Sequence, residues 1–349
     1  MKKIILLFSF LLLVTSIQAQ DIHFSQFYNF PLALNPALTG KFKQDYRLSA
    51  IYRNQWHAAN ATFQTAAFAG DVNFRVNPLS DDKIGVGLFF YNDQMGEGII
   101  QNNSGYASLA YHKVLDKYKR HRLSAGLQGG YVRKSIDYSQ LYFGSQIIDY
   151  EVSRDALSGE NMDNNSFGYM NINAGLSWSF MLTDHTEIHS GISVFNAVHP
   201  KETFAQEFLR EDLNRLKNRS LINIGMHYRM NERLSLMPEV MFMLQQRARD
   251  INIGAALGYH IGGWEGKTMV MAGTWYRVQD AAIFMAGVQH GSMKMVFSYD
   301  ATVSPLRNIR YGEGIPNNAR IGAYEITLTH VGFLNRPAPN NYTVPCGIF

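Results

Sequence analysis

Side chains able to do covalent or metal chemistry are sparse in this sequence. There is one cysteine, Cys346, which can form neither an internal disulfide nor a cysteine-based zinc site. The 11 histidines include no His-Glu-x-x-His pair, and no Gly-x-Ser-x-Gly elbow presents a serine nucleophile. His185 and His189 fall at a turn and early in a strand, and His57 adjoins Trp56 at a strand end; no serine and carboxylate are patterned with them into a relay. The run Gly262-Gly263-Trp264-Glu265-Gly266-Lys267-Thr268 is one residue short of a phosphate loop and no helix follows it, so it reads as a turn between strands. These absences argue against an enzyme and assign no catalytic residue, metal ligand or cofactor.

What stands out instead is a set of charges inside otherwise alternating segments: Arg47, Arg53, Glu239, Asp300 and Glu325. In a membrane protein such charges are expensive in lipid, so they belong in the interior and should pair there. Two readings follow. They line a polar pore or a binding surface for an inserted peptide, or they form a self-satisfied ion-pair network that fills a barrel. For any single residue the second is the simpler.

The elements that must position them are strands. Charged residues make up 17% and aromatics 13% of the 349 residues, with 29 glycines, a balance that suits a lipid-facing surface. Residues 1–19 read as a signal peptide: Lys2 and Lys3, an apolar run Ile4–Val14, and Gln18-Ala19 before the cleavage point. That run, about 11 residues, is too short to span a bilayer, and no lipoprotein cysteine follows it. The net charge of +4 falls to near neutral once the two signal lysines leave, which excludes a general nucleic-acid partner. No later stretch is long and apolar enough for a transmembrane helix, so a membrane-spanning chain has to be a closed barrel.

Residues 20–43, with Phe24, Phe27, Tyr28, Phe30, Pro31 and Pro36, lack alternation and read as an ordered plug or periplasmic segment. Period-two alternation then dominates residues 44–334. In 45–55, Tyr46, Leu48, Ala50 and Tyr52 oppose Arg47, Ser49 and Arg53; in 233–246, Leu234, Leu236, Val240, Phe242 and Leu244 oppose Arg233, Ser235, Glu239 and Gln245. Similar segments at 62–74, 83–92, 104–113, 121–133, 167–181, 186–198, 220–230, 250–262, 267–278, 281–290, 292–301 and 319–332 predict an all-β fold. It is a transmembrane antiparallel barrel of about 14 strands, apolar outside and polar inside. With the N-terminus periplasmic, the long connections 92–103, 134–166, 199–219 and 302–318 face outward, although 56–61, 247–249 and 279–280 are short. Within 201–219, Phe204, Phe208 and Leu209 have helical spacing, read equally well as an amphipathic helix over the mouth or as a solvated loop. Residues 335–349, with Pro337, Pro339 and Pro345, form a tail that cannot be a regular strand throughout.

The motifs resemble those of the PorP/SprF family. Asp21-Ile22-His23-Phe24-Ser25-Gln26-Phe27-Tyr28 and Ala33-Leu34-Asn35-Pro36-Ala37-Leu38-Thr39-Gly40 look like its opening, and Arg53-Asn54-Gln55-Trp56 resembles its most recognisable motif. Trp275-Tyr276-Arg277 with Asp280-Ala281, Ser298-Tyr299-Asp300, and Tyr324-Glu325-Ile326-Thr327-Leu328 follow in order. The ending Pro345-Cys346-Gly347-Ile348-Phe349 departs from the family's usual Cys-Pro-x-Phe. The resemblance implies an outer-membrane barrel of type IX secretion in Bacteroidota. One branch of the family belongs to the trans-envelope complex; the other is needed for surface display of large adhesins, including those of gliding motility, whose C-terminal domains it accepts. It also implies other secretion components and outer-membrane lipid as partners. Asn35, Pro36, Arg53, Asn54, Gln55, Trp56, Tyr276, Arg277, Asp280, Tyr299, Asp300 and Glu325 are the signature residues expected at the lumen or a partner contact. The alternative is a barrel similar to long-chain fatty-acid transporters, which would need an apolar lumen; the inward faces read here as Ser, Asn, Thr, Gln and charge.

Overall fold

The computed structural model describes residues 24–56, 62–76, 81–96, 98–141, 143–148, 151–153, 165–202, 215–304 and 322–334. The signal peptide, His57, most of 201–219, residues 305–321 and the tail with Cys346 lie outside them.

The strands are β1 (Tyr46–Gln55), β2 (Phe63–Arg75), β3 (Lys83–Met95), β4 (Ile100–Val114), β5 (His121–Ile136), β6 (Ile147–Ile148), β7 (Glu151–Val152) and β8 (Ser166–Thr183). They continue with β9 (Thr186–Phe195), β10 (Arg219–Arg229), β11 (Leu234–Gln245), β12 (Ala248–Ile261), β13 (Thr268–Arg277), β14 (Ala281–His290), β15 (Met293–Thr302) and β16 (Gly322–Gly332). All but β6 and β7 close into one antiparallel barrel of sequential neighbours, with β5 beside β8 and β1 beside β16. β6 and β7 form a separate two-stranded hairpin within the β5–β8 connection. The fourteen-stranded barrel expected from alternation is therefore the fold.

Alternation fixes which face each side chain takes. In β1, Arg47, Ser49, Ile51 and Arg53 are buried while Leu48 and Tyr52 are exposed. The same outward face continues through Phe68, Leu88, Leu109, Leu127, Ile222, Phe284 and Phe297. A wall with apolar residues outside and polar residues inside is the arrangement of a transmembrane barrel. The seven connections from 56–62 to 303–321 share the rim at which β1 ends, and the long ones are all there. At the opposite rim, Asp82 accepts hydrogen bonds from Lys113 Nζ at 2.7 Å, Val114 N at 2.9 Å and Tyr111 OH at 3.0 Å. These bonds, the lysine's first, hold the Asp82 carboxyl down at about 2.

Two expectations change. The 92–103 connection is four residues long, because β3 and β4 continue to Met95 and from Ile100 with Asn92 opposite Asn103 and Gln94 opposite Gln101. Polar pairs on both faces extend the ladder beyond the apolar band, where alternation no longer marks it. The inward face is also not uniformly polar. Met237, Met241, Met243, Met269, Met271 and Met285, with Trp275, Ile283 and Val296, are buried inside β11–β15. The inward face of β11 sets Met237, Met241 and Met243 among Ser235, Glu239 and Gln245, so period two marks the face without marking the methionine row on it.

The space inside holds residues 24–41. Short helical turns at Phe27–Asn29, Pro31–Leu34 and Pro36–Leu38 keep this segment compact. Phe27, Tyr28, Leu34 and Leu38 pack on the methionine wall, and Phe24, Phe30 and Leu32 pack with Ile51, Phe89 and Tyr106. On the other side the backbone of 35–40 lies directly on glycines. A Cβ at Gly126 would stand 2.4 Å from the Pro36 carbonyl carbon, and one at Gly85 would stand 2.0 Å from Thr39 O. Gly126→Leu should therefore lower the urea midpoint of the heat-modifiable folded form by the equivalent of at least about 1–3 kcal/mol. Gly129→Leu on the outer face of the same strand, where a Cβ meets nothing within 4 Å, should leave that midpoint unchanged.

Candidate functional site

The seam between β1 and β16 sets Arg53 directly opposite Glu325, and the next pairing sets Glu325 opposite Ser298. Period two turns these side chains inward together with Asp300 of β15 and Arg277 of β13. Arg53 Nη1 lies 2.5 Å from Glu325 Oε1 and 3.2 Å from Asp300 Oδ2. Arg277 Nη1 lies 3.0 Å from Asp280 Oδ2 and 3.3 Å from Asp300 Oδ2, with Asp250 Oδ1 at 3.9 Å from its Nε. Arg53, Arg277, Asp300 and Glu325 are at most 4% exposed.

Two guanidinium groups thus face four carboxylates, and the N-terminal segment supplies further donors. Glu325 accepts hydrogen bonds from Ser25 N at 2.7 Å and Gln26 N at 2.8 Å. Ser25 Oγ donates to Asp300 Oδ2 at 2.5 Å and accepts from Arg53 Nη1 at 2.8 Å and Arg277 Nη2 at 2.5 Å. One donor and two accepted bonds use the full capacity of a hydroxyl. Gln26 Nε2 reaches Ser298 Oγ at 3.0 Å, and Lys294 Nζ donates to Asn29 Oδ1 at 2.9 Å.

A second group fastens the other end of the segment. Arg47 and Asp71 pair through two bonds of 3.0 and 2.7 Å, the fork geometry that strengthens such pairs. Arg47 also donates to Leu38 O at 3.2 Å, and Asp71 accepts from Gly40 N at 2.7 Å. His112 lies between Thr39 O at 2.8 Å and Ser124 Oγ at 2.7 Å. With Nε2–H donating to the carbonyl, Nδ1 is left to accept from the hydroxyl. Farther round the wall, His189 Nε2 stands 2.8 Å from Glu239 Oε1. Among the described residues no cluster of three or more His, Cys, Asp or Glu side chains could hold a metal.

The signature residues do not all meet. Arg53, Arg277, Asp280, Asp300 and Glu325 converge; Gln55 joins through Oε1, which accepts from Arg53 Nη2 at 3.1 Å. Asn54 is buried one position along β1, its Nδ2 3.5 Å from Tyr52 OH. Trp56 sits at the rim with φ of 59°, its N–H on Gly322 O at 2.9 Å and its ring edge-on to Phe63. Asn35 and Pro36 lie in the glycine-lined region. Asn35 Oδ1 accepts from Ala37 N at 2.8 Å while its Nδ2 donates to Leu176 O at 3.0 Å and Ile192 O at 3.3 Å. For Tyr276 and Tyr299 the lumen expectation is corrected: their neighbours 275, 277, 298 and 300 point inward, so both tyrosines face outward, Tyr276 being 46% exposed. Sequence reasoning missed Ser25, Asp71, Asp250 and His112. Asp71 and His112 each sat at a polar position of an alternating strand; nothing marked Ser25 beyond its place in the opening motif.

The sequence model of type IX secretion system membrane proteins PorP/SprF matches residues 16–329. The chain belongs to the PorP/SprF family. Its place in the cell follows: a type IX secretion protein with this wall is an integral outer-membrane barrel. No curated protein matches the chain in sequence. Among solved structures, the Pseudomonas putida toluene transporter TodX aligns at TM-score 0.51 and 8% identity, covering 87% of this chain and 93% of its own. A TodX monoaromatic hydrocarbon channel deltaS2 mutant aligns at TM-score 0.52 and 12% identity, covering 88% and 94%. These likenesses show the barrel fold alone.

Removing one member of a buried ion cluster strands its partners, at about 3–5 kcal/mol. Arg53→Ala should lower folded yield in the outer membrane and the urea midpoint accordingly, with Arg53→Lys intermediate because a single ammonium lacks the second arm that donates to Gln55 Oε1. Wild-type stability of Arg53→Ala would contradict the assignment.

Proposed function

We propose that this PorP/SprF barrel is a non-catalytic acceptor and surface anchor for the C-terminal domain of a secreted adhesin, working with other type IX components. The observation that carries the reading is the filled lumen of a secretion-family barrel. Residues 24–43 act as a plug, and the cavities between them and the wall measure about 30, 10 and 20 Å³, each close to the room one or two waters need. A barrel closed in this way holds cargo rather than conducting it, and its outer face is the side that cargo meets. That face has built structure: the β6–β7 hairpin stands in one long connection, and an ion pair between Lys134 and Glu202 ties β5 to the β9–β10 connection. Loops on a rigid scaffold are where binding concentrates. In this reading residues 1–19 are removed on export, 44–334 are the barrel and 335–349 a tail.

A second reading has one observation in its favour. The methionine wall gives the lumen an apolar side, as a barrel passing hydrophobic solutes would require. The charges at Arg53, Arg277, Asp300 and Glu325 suit a polypeptide better, since an apolar solute would leave them uncompensated.

Deleting the gene should remove adhesin from the cell surface while unrelated type IX cargo is still secreted, measured by surface labelling and by assay of medium and cell contents. Deleting 201–217 should leave a heat-modifiable barrel but weaken adhesin retention. Simultaneous loss of all type IX cargo would place the protein in the core complex instead. Unchanged display with reduced uptake of a hydrophobic solute would favour transport.

A further inference from the structure

Residues 24–40 divide into two stretches held by different physics. From Asn35 to Gly40 the backbone itself seats on glycines of β3 and β5, with the Asn35 and Pro36 side chains on Gly175 of β8, and its carbonyl and amide groups are taken by Arg47, His112 and Asp71. No side-chain rearrangement in the wall frees that contact. From Phe24 to Leu34 the segment is held by side chains alone: the ion cluster at Ser25, Lys294 on Asn29, Gln128 on Leu32 O and Ser193 on Leu34 O. Phe27 and Tyr28 pack on the methionines, with Tyr28 stacked on Trp275 at 4.8 Å and 19°.

Two features of that wall exceed what its occupant uses. Six buried methionines stand where the outward faces of the same strands carry Leu, Val and Phe. Methionine is unbranched and re-packs around different shapes, which is why adaptable binding surfaces favour it. In addition, among the described residues Trp275 Nε1, both side-chain polar atoms of Asn252, and Asp300 Oδ1 have no hydrogen-bond partner, although these residues are at most 3% exposed. Buried polar groups are ordinarily satisfied, so unused ones on the inward faces of β12, β13 and β15 point to an occupant that would use them.

We infer that the lumen face of β11–β16 is a receptor for a compact, aromatic-rich segment of an exported polypeptide, and that residues 24–34 occupy it as an exchangeable resident. The inference rests on the reading of the barrel as a cargo acceptor. The chemistry of the site selects a peptide: Glu325 takes two successive backbone N–H groups, the two arginines and Asp300 read a hydroxyl, and Trp275 and the methionines take aromatic rings. A tethered resident competes at an effective concentration in the millimolar range, so a partner displaces it only when presented at high local concentration. Residues 35–40 stay seated throughout.

The probe is a fluorescent peptide with the sequence of residues 24–34, titrated by anisotropy into the full-length protein in detergent. Ser25→Asp sets a carboxylate against Asp300 and Glu325, and Tyr28→Ala removes the stack on Trp275; each should release the resident. Both variants, run as folded heat-modifiable barrels, should bind the peptide at least tenfold more tightly than wild type, and adding Trp275→Ala should abolish the gain. Folded variants that bind no peptide, or binding equal to wild type, would overturn the inference. Hydrogen exchange on the unaltered protein tests it independently of folding yield. Amides of 25–34 should exchange at least tenfold faster than those of 37–41, and equal protection would overturn it. Neither assay contains adhesin, so failure here is separate from failure of the display experiment.

Discussion

A sheet in lipid must close on itself, because an edge strand would hold unpaired backbone groups where no water can reach them. In this chain closure is made by β1 and β16, whose pairing runs unbroken from Tyr46 opposite Gly332 to Gln55 opposite Ala323. The same register brings Arg53 against Glu325 and, through β15, against Asp300. Charges there cannot point to lipid, so they turn inward, and the four acids and two arginines do not balance by themselves. Ser25 and Gln26 complete the set with a hydroxyl and two N–H groups. Closing the barrel and seating the N-terminal segment are therefore one electrostatic problem, solved at one node.

The rest of the lumen follows from how that segment is accommodated. Where its backbone approaches the wall, β3 and β5 carry glycine; where Phe27 and Tyr28 approach, β11, β13 and β14 carry methionine. The first kind of contact leaves no room for an alternative occupant, and the second tolerates many. In the proposed reading, this asymmetry would tie the filled interior of the barrel to the capture of another chain. The TodX likenesses carry the barrel architecture and leave the lumen's chemistry to be read from these residues.

Much of the fold was legible because lipid outside and polar groups inside enforce period two. Segments such as 281–290 and 45–55 were placed within a residue of their ends. The signal failed where that constraint relaxes. Asn92, Gln94, Gln101 and Asn103 lie past the apolar band, so both faces are polar and the strands run on unmarked. On β11 the inward Ser235, Glu239 and Gln245 mark a polar face, so Met237, Met241 and Met243 between them did not announce an inward wall. Inward charges such as Arg53, Asp300 and Glu325 were legible as residues that must pair. Their common partner was not: Ser25 is a small hydroxyl in a segment without period, 275 residues from Asp300. Tyr276 and Tyr299 were grouped with the charges by motif, and strand parity puts them on the opposite face.

The central claim is that one node couples the seam to the N-terminal segment. A double-mutant cycle between Ser25→Ala and Arg53→Ala, read as urea unfolding of the detergent-solubilised barrel, tests it most directly, since Arg53 lies on the seam and donates to Ser25 Oγ. The account predicts strong non-additivity, with an interaction energy of about 0.5–3 kcal/mol, as for residues sharing one hydrogen-bonded network. Effects that add to within about 0.3 kcal/mol would show that the segment and the barrel wall are held independently, and would contradict it.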